Sequence, residues 1–208
     1  IFFMEGLEKV NLLERENCLT GKAALEQRRE ANKEFRRSKK YLQAAVDLAR
    51  KQNKTESDGL NYLANVALHL KRYDEAIALA KKALDNILYG SRHLALGTLG
   101  WALYRKGDLD GAARELRQAV FHEPRFCIGR YRLAKVYYKQ KRLDAARTEL
   151  EKVVADKACP IQEAYQLLGL VQMKQNKLDE ARKSFATCVK IKPTSCVSKE
   201  CQRYAKLM

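Results

Sequence analysis

Proline is scarce in this chain, with three residues in 208, and glycine stands at ten. No segment alternates β-branched and polar residues, and the lack of that period-two pattern argues against any sheet architecture. No apolar run reaches the roughly 18 residues that a bilayer span needs. The three histidines, His69, His93 and His122, have no cysteine or carboxylate at metal-ligand spacing. A Gly-rich phosphate loop, a nucleophile elbow and a carboxylate pair in a cleft are also missing. The chain is therefore expected to be no enzyme and to hold no metal or cofactor. Its opening, Ile1-Phe2-Phe3-Met4, is too short for a signal-peptide core and lacks a small-residue cleavage pattern, so a leader is expected to have been removed already.

Acidic charge is the other shortage: 25 acidic residues face 41 basic ones, a formal net charge of +16. The excess gathers at Arg28-Arg29, Lys33, Arg36-Arg37 and Lys39-Lys40, and again at Lys139, Lys141 and Arg142. Such runs attract nucleic acid or anionic membrane surfaces. Aromatic rings that would stack on bases fall at helix-packing positions instead of among the basic runs. The charge is read as solvated outer faces and turns, and no specific nucleic-acid partner is expected.

The stretch that organises the chain runs from His93 to Pro124. Two short helices around Arg105-Lys106-Gly107-Asp108 place Leu96, Leu99 and Leu103 on one stripe and Leu109, Ala112, Leu116, Ala119 and Val120 on another. Gly100 and Ala112 are small where the two helices would touch, Gly107 can take a left-handed helix-ending conformation, and Pro124 stops the second helix. This order of Leu, Gly, aromatic, Gly, Ala, large apolar, Ala and Pro resembles the tetratricopeptide repeat. One hairpin cannot bury both stripes, and copies are present. The turn position recurs as Tyr73, Leu109, Leu143 and Leu178, at steps of 36, 34 and 35 residues. Three places on stand Ala76, Ala112, Ala146 and Ala181, and the first helices carry Leu63-Ala64, Leu99-Gly100, Leu133-Ala134 and Leu168-Gly169.

The expected fold is an all-α superhelical solenoid of antiparallel helix pairs, one domain over 1–208. A helix over 1–20 comes first. A degenerate repeat follows over 22–56, with helices at 22–38 and 41–52 because Tyr41 and Ala44 echo the turn pattern. Full repeats are expected at 58–90, 93–124, 127–159 and 162–193, and a polar capping helix at 198–207 closes the exposed end.

In the usual repeat geometry the second, fifth, ninth and twelfth residues of each first helix line a concave surface. Those positions select Asn61 and Asn65, then Trp101 and Tyr104, then Tyr131, Lys135 and Tyr138, then Leu170 and Met173. A groove with such rings suits a peptide segment, since aromatic anchors dominate binding in desolvated pockets. The Lys/Asn set with which chaperone-binding relatives clamp a C-terminal carboxylate is not formed, because the corresponding positions read Asn61, Asn65 and Thr98.

Six cysteines remain. Cys127 opens one first helix and Cys159 lies just before the next, on the same edge one repeat apart. Cys188 faces the terminal helix that carries Cys201. Reduced, small buried residues and disulfides in an oxidising compartment both accommodate this placement. Cys18 and Cys196 have no obvious mates.

Tyr89 after Ile87-Leu88, the segment Leu96 to Asp108, Pro124-Arg125-Phe126-Cys127, Ala181 to Cys188 and Lys199-Glu200-Cys201 together resemble the pilotins of type IV pilus secretins, the PilF, PilW and Tgl-like lipoproteins. The resemblance covers about residues 58–208. It implies disulfides Cys127–Cys159 and Cys188–Cys201, a secretin subunit as protein partner, and a place on the periplasmic face of the outer membrane. Membrane attachment would come only from a lipid anchor not present in this chain. A cytoplasmic adaptor or co-chaperone that binds a partner peptide through the same groove is the alternative, and either is expected to be monomeric.

Overall fold

The computed structural model describes Met4 and residues 21–208, and the helix expected over 1–20 lies outside the described residues. Among the described residues the chain forms ten helices and no strand. They gather in two compact units, residues 21–124 and residues 125–208. The first unit holds α1 (Gly21–Lys51), α2 (Ser57–His69), α3 (Tyr73–Leu84), α4 (Arg92–Lys106) and α5 (Leu109–His122). The second holds α6 (Cys127–Lys139), α7 (Leu143–Ala155), α8 (Gln162–Lys174), α9 (Leu178–Ile191) and α10 (Cys196–Ala205).

The expected hairpin over 22–52 is instead the single helix α1 of 31 residues. Its sequence carries no glycine or proline between Lys22 and Lys51, so nothing stops the helix at Lys39-Lys40. Tyr41 and Ala44, the apparent turn signal, are exposed. The buried line is Phe35, Ser38 and Val46, with Leu42 packed beside it, and this helical spacing runs straight through the supposed turn. Phe35 packs with Ala31 against Val66 of α2, while Val46 joins Leu60, Leu63, Ala83, Tyr89 and Ala95.

Pairing of the later helices depends on small residues. Ala76, Ala112, Ala146 and Ala181 are all fully buried, as are Ala64 and Ala134 in the facing helices. At Gly100 a Cβ would lie 2.6 Å from Leu116 Cγ and 3.2 Å from the Ala112 carbonyl oxygen, so α4 and α5 approach to a separation only glycine permits. Gly169 of α8 meets the Phe185 ring of α9 in the same way, at 2.7 Å.

Each helix pair turns through one left-handed residue. Gly107 has φ 94° and the equivalent positions are Lys71 (61°), Lys141 (61°) and Asn176 (60°). Backbone bonds hold the turn: Asp108 N–H donates to Leu103 O at 3.0 Å, and Asp108 then caps α5 by accepting from Gly111 N–H at 2.8 Å.

The end of the second unit is closed by a buried polar knot. Gln162 Nε2, at the start of α8, donates to Cys188 O at 2.7 Å and to Ser198 Oγ at 2.9 Å. Ser195 Oγ donates to Gln162 Oε1 at 2.9 Å and accepts from Ser198 N–H at 3.0 Å, which caps α10. Ser198 Oγ in turn donates to Lys192 O at 2.6 Å, so the last carbonyls of α9 are satisfied by α10. On its outer side α10 presents Lys199, Glu200, Gln202 and Arg203, as a capping helix requires.

This packing sets two stability outcomes. Replacing a mid-helix glycine by alanine ordinarily gains up to about 1 kcal/mol of helix propensity. At Gly100 overpacking of about 1–3 kcal/mol opposes that gain, so Gly100→Ala lowers the thermal midpoint while Gly90→Ala, with open space around it, leaves the midpoint nearly unchanged. Gln162→Ala strands buried carbonyl and hydroxyl groups and is expected to cost about 2–3 kcal/mol. Hydrogen exchange should show that loss first in α10.

Candidate functional site

In the first unit, α2 and α4 lie side by side and bring Asn61, Asn65, Thr98, Trp101 and Tyr104 to one region. Asn61 is buried at 4% exposure. Asn65 Nδ2 donates to Asn61 O and to Thr98 Oγ1, both at 3.0 Å. Thr98 Oγ1 gives its own proton to Leu94 O in a hydrogen bond of 2.9 Å. Asn65 thus ties neighbouring first helices together. Asn61, expected on the groove surface, is buried there.

Trp101 and Tyr104 stand partly at the surface. Their rings stack at 4.6 Å with 12° between planes, both half-buried. Trp101 packs against Ala67, Leu68, Ala76 and Ala102, so part of its surface belongs to the core. Burial raises the Tyr104 hydroxyl above its ordinary pKa, opposed by the neighbouring Arg105 charge.

In the second unit Tyr131, Lys135 and Tyr138 follow one another along a face of α6 at i, i+4 and i+7, each half-buried. The Lys135 ammonium lies 5.6 Å from the Tyr131 ring centre, and that of Lys174 on α8 lies 5.7 Å from the Tyr138 ring. Burial raises the Tyr138 pKa. Leu170 and Met173 pack against a core of Ala181, Phe185, Cys188, Val197 and Cys201, with Tyr204 beside them, and so serve packing as well as surface. Arg132, between Tyr131 and Leu133, keeps part of its surface in solvent, yet burial of its guanidinium pulls its pKa down to about 10.

The five cysteines among the described residues are oxidised. Cys127–Cys159 joins the start of α6 to the loop before α8, with Cα atoms 5.6 Å apart. Cys188–Cys201 joins α9 to α10 across 6.4 Å, both residues fully buried. Cys196, expected to be an extra thiol, is disulfide-bonded as well. Its place at the start of α10 hid this from sequence reasoning, because a cysteine beside a connection has no periodic neighbour to point at. Cys18 lies outside the described residues. Among the described residues one group has metal-ligand geometry, Cys127, Asp156 and Cys159, and its two sulfurs are spent on each other.

Sequence reasoning missed the Gln162 knot, whose legible signal was Ser195-x-x-Ser198 at the start of a helix. It also missed a basic cavity at the turns of the second unit, where Lys141 and Arg142 read from the sequence as solvated surface.

The tetratricopeptide repeat matches residues 21–87, 98–160 and 131–195, and a second form of it matches 55–120. This chain belongs to the tetratricopeptide-repeat family. Its all-helical fold is that of a tetratricopeptide solenoid, and a protein-binding scaffold is the role that goes with it. No curated protein matches the sequence. Among solved structures, a thermophilic tetratricopeptide protein of Thermus thermophilus is 23% identical, with TM-score 0.64, covering 99% of this chain and 100% of that one. YrrB, a tetratricopeptide protein with an unusual peptide-binding site, is 16% identical with TM-score 0.62 and 97% of both chains covered. PilF of Pseudomonas aeruginosa is 15% identical with TM-score 0.62, covering 98% of this chain and 96% of that one. At these identities the likeness is one of fold. No helix among the described residues is long and apolar enough to cross a membrane.

By chain entropy each of the two assigned disulfides stabilises the second unit by about 3 kcal/mol. Alkylation of the unreduced protein, isolated from its own compartment and peptide-mapped, should modify none of Cys127, Cys159, Cys188, Cys196 and Cys201. Labelling of both Cys188 and Cys201 without denaturant would contradict the oxidised state.

Proposed function

We propose that this scaffold is a pilotin: it binds subunits of a type IV pilus secretin and promotes their assembly in the outer membrane from the periplasmic side. The observation that carries the reading is the pairing of Cys127 with Cys159 and of Cys188 with Cys201, the pairs implied by the pilotin resemblance. Oxidised cysteines also favour the periplasm over the cytosol. The shared fold with PilF and the peptide-binding site of YrrB are compatible with it. Mechanistically, the tyrosine face of α6 in the second unit and the Trp101–Tyr104 stack in the first each supply half-buried rings that lose little entropy on contact, so a partner segment on either gains apolar area at low ordering cost. Binding of that kind holds a secretin monomer in an assembly-competent form.

Immobilised protein should capture the secretin subunits of its own organism. Trp101→Ala combined with Tyr138→Ala should weaken capture by about 2 kcal/mol, roughly thirtyfold, with helicity retained. Unchanged capture at unchanged circular dichroism would remove the groove from this function. Failure of the unaltered protein to bind secretin at all would remove the pilotin reading.

A further inference from the structure

The turns that join α6 to α7 and α8 to α9 border a cavity of about 720 Å³ that is open to solvent, lined by Lys141, Arg142, Lys174 and Lys177 together with Asp144 and Gln175. Four cations share it with one carboxylate. The corresponding turns of the first unit neutralise two of their cations: Lys106 Nζ bonds Asp74 Oδ1 at 2.5 Å, and Arg72 pairs with Glu75 at 3.5 Å, while Arg105 lies over the Tyr73 ring. In the second unit the rung equivalent to Lys106–Asp74 is made by a neutral amide, with Gln175 Nε2 donating to Asp144 Oδ1 at 2.8 Å. Asp144 is thereby occupied without consuming a cation. Lys177 pairs with Glu180 at 3.4 Å. Lys141, Arg142 and Lys174 have no carboxylate partner among the described residues.

Two of these three cations are held in place by rings. The Arg142 guanidinium lies 4.6 Å from the Tyr137 ring centre, and Lys174 lies over Tyr138. Lys141 is held by its backbone, in the left-handed turn whose N–H donates to Tyr138 O at 3.1 Å. Like charges lining one cavity repel one another, and an anion placed among them relieves that repulsion while gaining attraction from all three. Gln175 Oε1 is buried without a hydrogen-bond partner. Lys174 also connects the cavity to the Tyr131–Lys135–Tyr138 face, because the same ammonium that lines the cavity sits over Tyr138.

We propose that this cavity seats the carboxylates of an acidic peptide segment whose apolar side chains lie on the adjoining tyrosine face of α6. The inference rests on the reading of the protein as a peptide-binding scaffold and adds to it the charge of the segment bound. An acidic segment gains specificity here from three cations unspent on internal pairs, and gains encounter rate from the basic chain as a whole.

Fluorescence anisotropy with two dye-labelled nonapeptides tests this, one alternating Glu and Leu and the other with Gln for every Glu. At an ionic strength of about 0.15 M the Glu peptide should bind at least about tenfold more tightly. Lys141→Gln with Lys174→Gln should abolish that preference. Lys81→Gln with Lys82→Gln, the same change in net charge at exposed positions on α3, should preserve it. Arg142→Gln, a separate variant with a single change, should reduce the preference in part, which guards against misfolding of the double variant. Equal affinity for the two peptides, or an equal loss in the α3 variant, overturns the proposal. So does displacement of the Glu peptide by phosphatidylglycerol vesicles that depends on Lys141 and Lys174, an outcome that assigns the cavity to lipid. Because no secretin enters this measurement, a negative result removes the acidic segment and leaves secretin capture to be judged by its own experiment.

Discussion

The close approach of paired helices is the constraint on which the rest of this protein depends. Gly100 against Leu116 and Gly169 against Phe185 leave no room for a methyl group, and the buried alanines opposite set the same spacing elsewhere. Short interhelical distance buries nearly the whole inner stripe of each helix, so pairs of only 12–15 residues per helix, marginal alone, become stable in company. It also dictates what the polar residues can do. Asn61 is buried and Asn65 serves as a strut between α2 and α4, while rings too large for the seam are pushed to its edge.

A chain of charge +16 tolerates its excess through placement. Acidic residues open helices, as Asp74 and Glu75 do in α3 and Asp179 and Glu180 in α9, and basic residues close them, as Lys81 and Lys82 do in α3, so both signs complement the helix dipoles. Exposed pairs such as Arg182 with Asp179 add little. The half-buried pair Arg130–Glu149, at 2.7 Å, locks α6 onto α7 more firmly. Cations over tyrosine rings, Arg142 and Lys174 among them, are held without a carboxylate and so stay available to a ligand.

Much of the architecture was legible from spacing. Small residues at Ala76, Ala112, Ala146 and Ala181 announced the helix pairs because a period near 34 residues can only repeat if the same contact is made each time. The turn over 39–40 was misjudged for a specific reason: Tyr41 and Ala44 matched the pattern of a turn, but the residues between offered no helix stop. The groove was legible only as a set of positions. Whether a residue at such a position faces solvent, as Tyr138 partly does, or sinks into the seam, as Asn61 does, depends on the depth to which neighbouring helices interlock.

The sequence by itself determined the helix period, the pairing of neighbours and the polar cap, since these follow from local spacing and from residue size. The oxidised state of Cys196, the knot around Gln162 and the cluster of Lys141, Arg142 and Lys174 were decided by tertiary structure alone. The knot joins groups 26 and 36 residues apart and the cluster depends on which cation has already found a carboxylate, and no periodicity along the chain encodes whether a distant partner is still free.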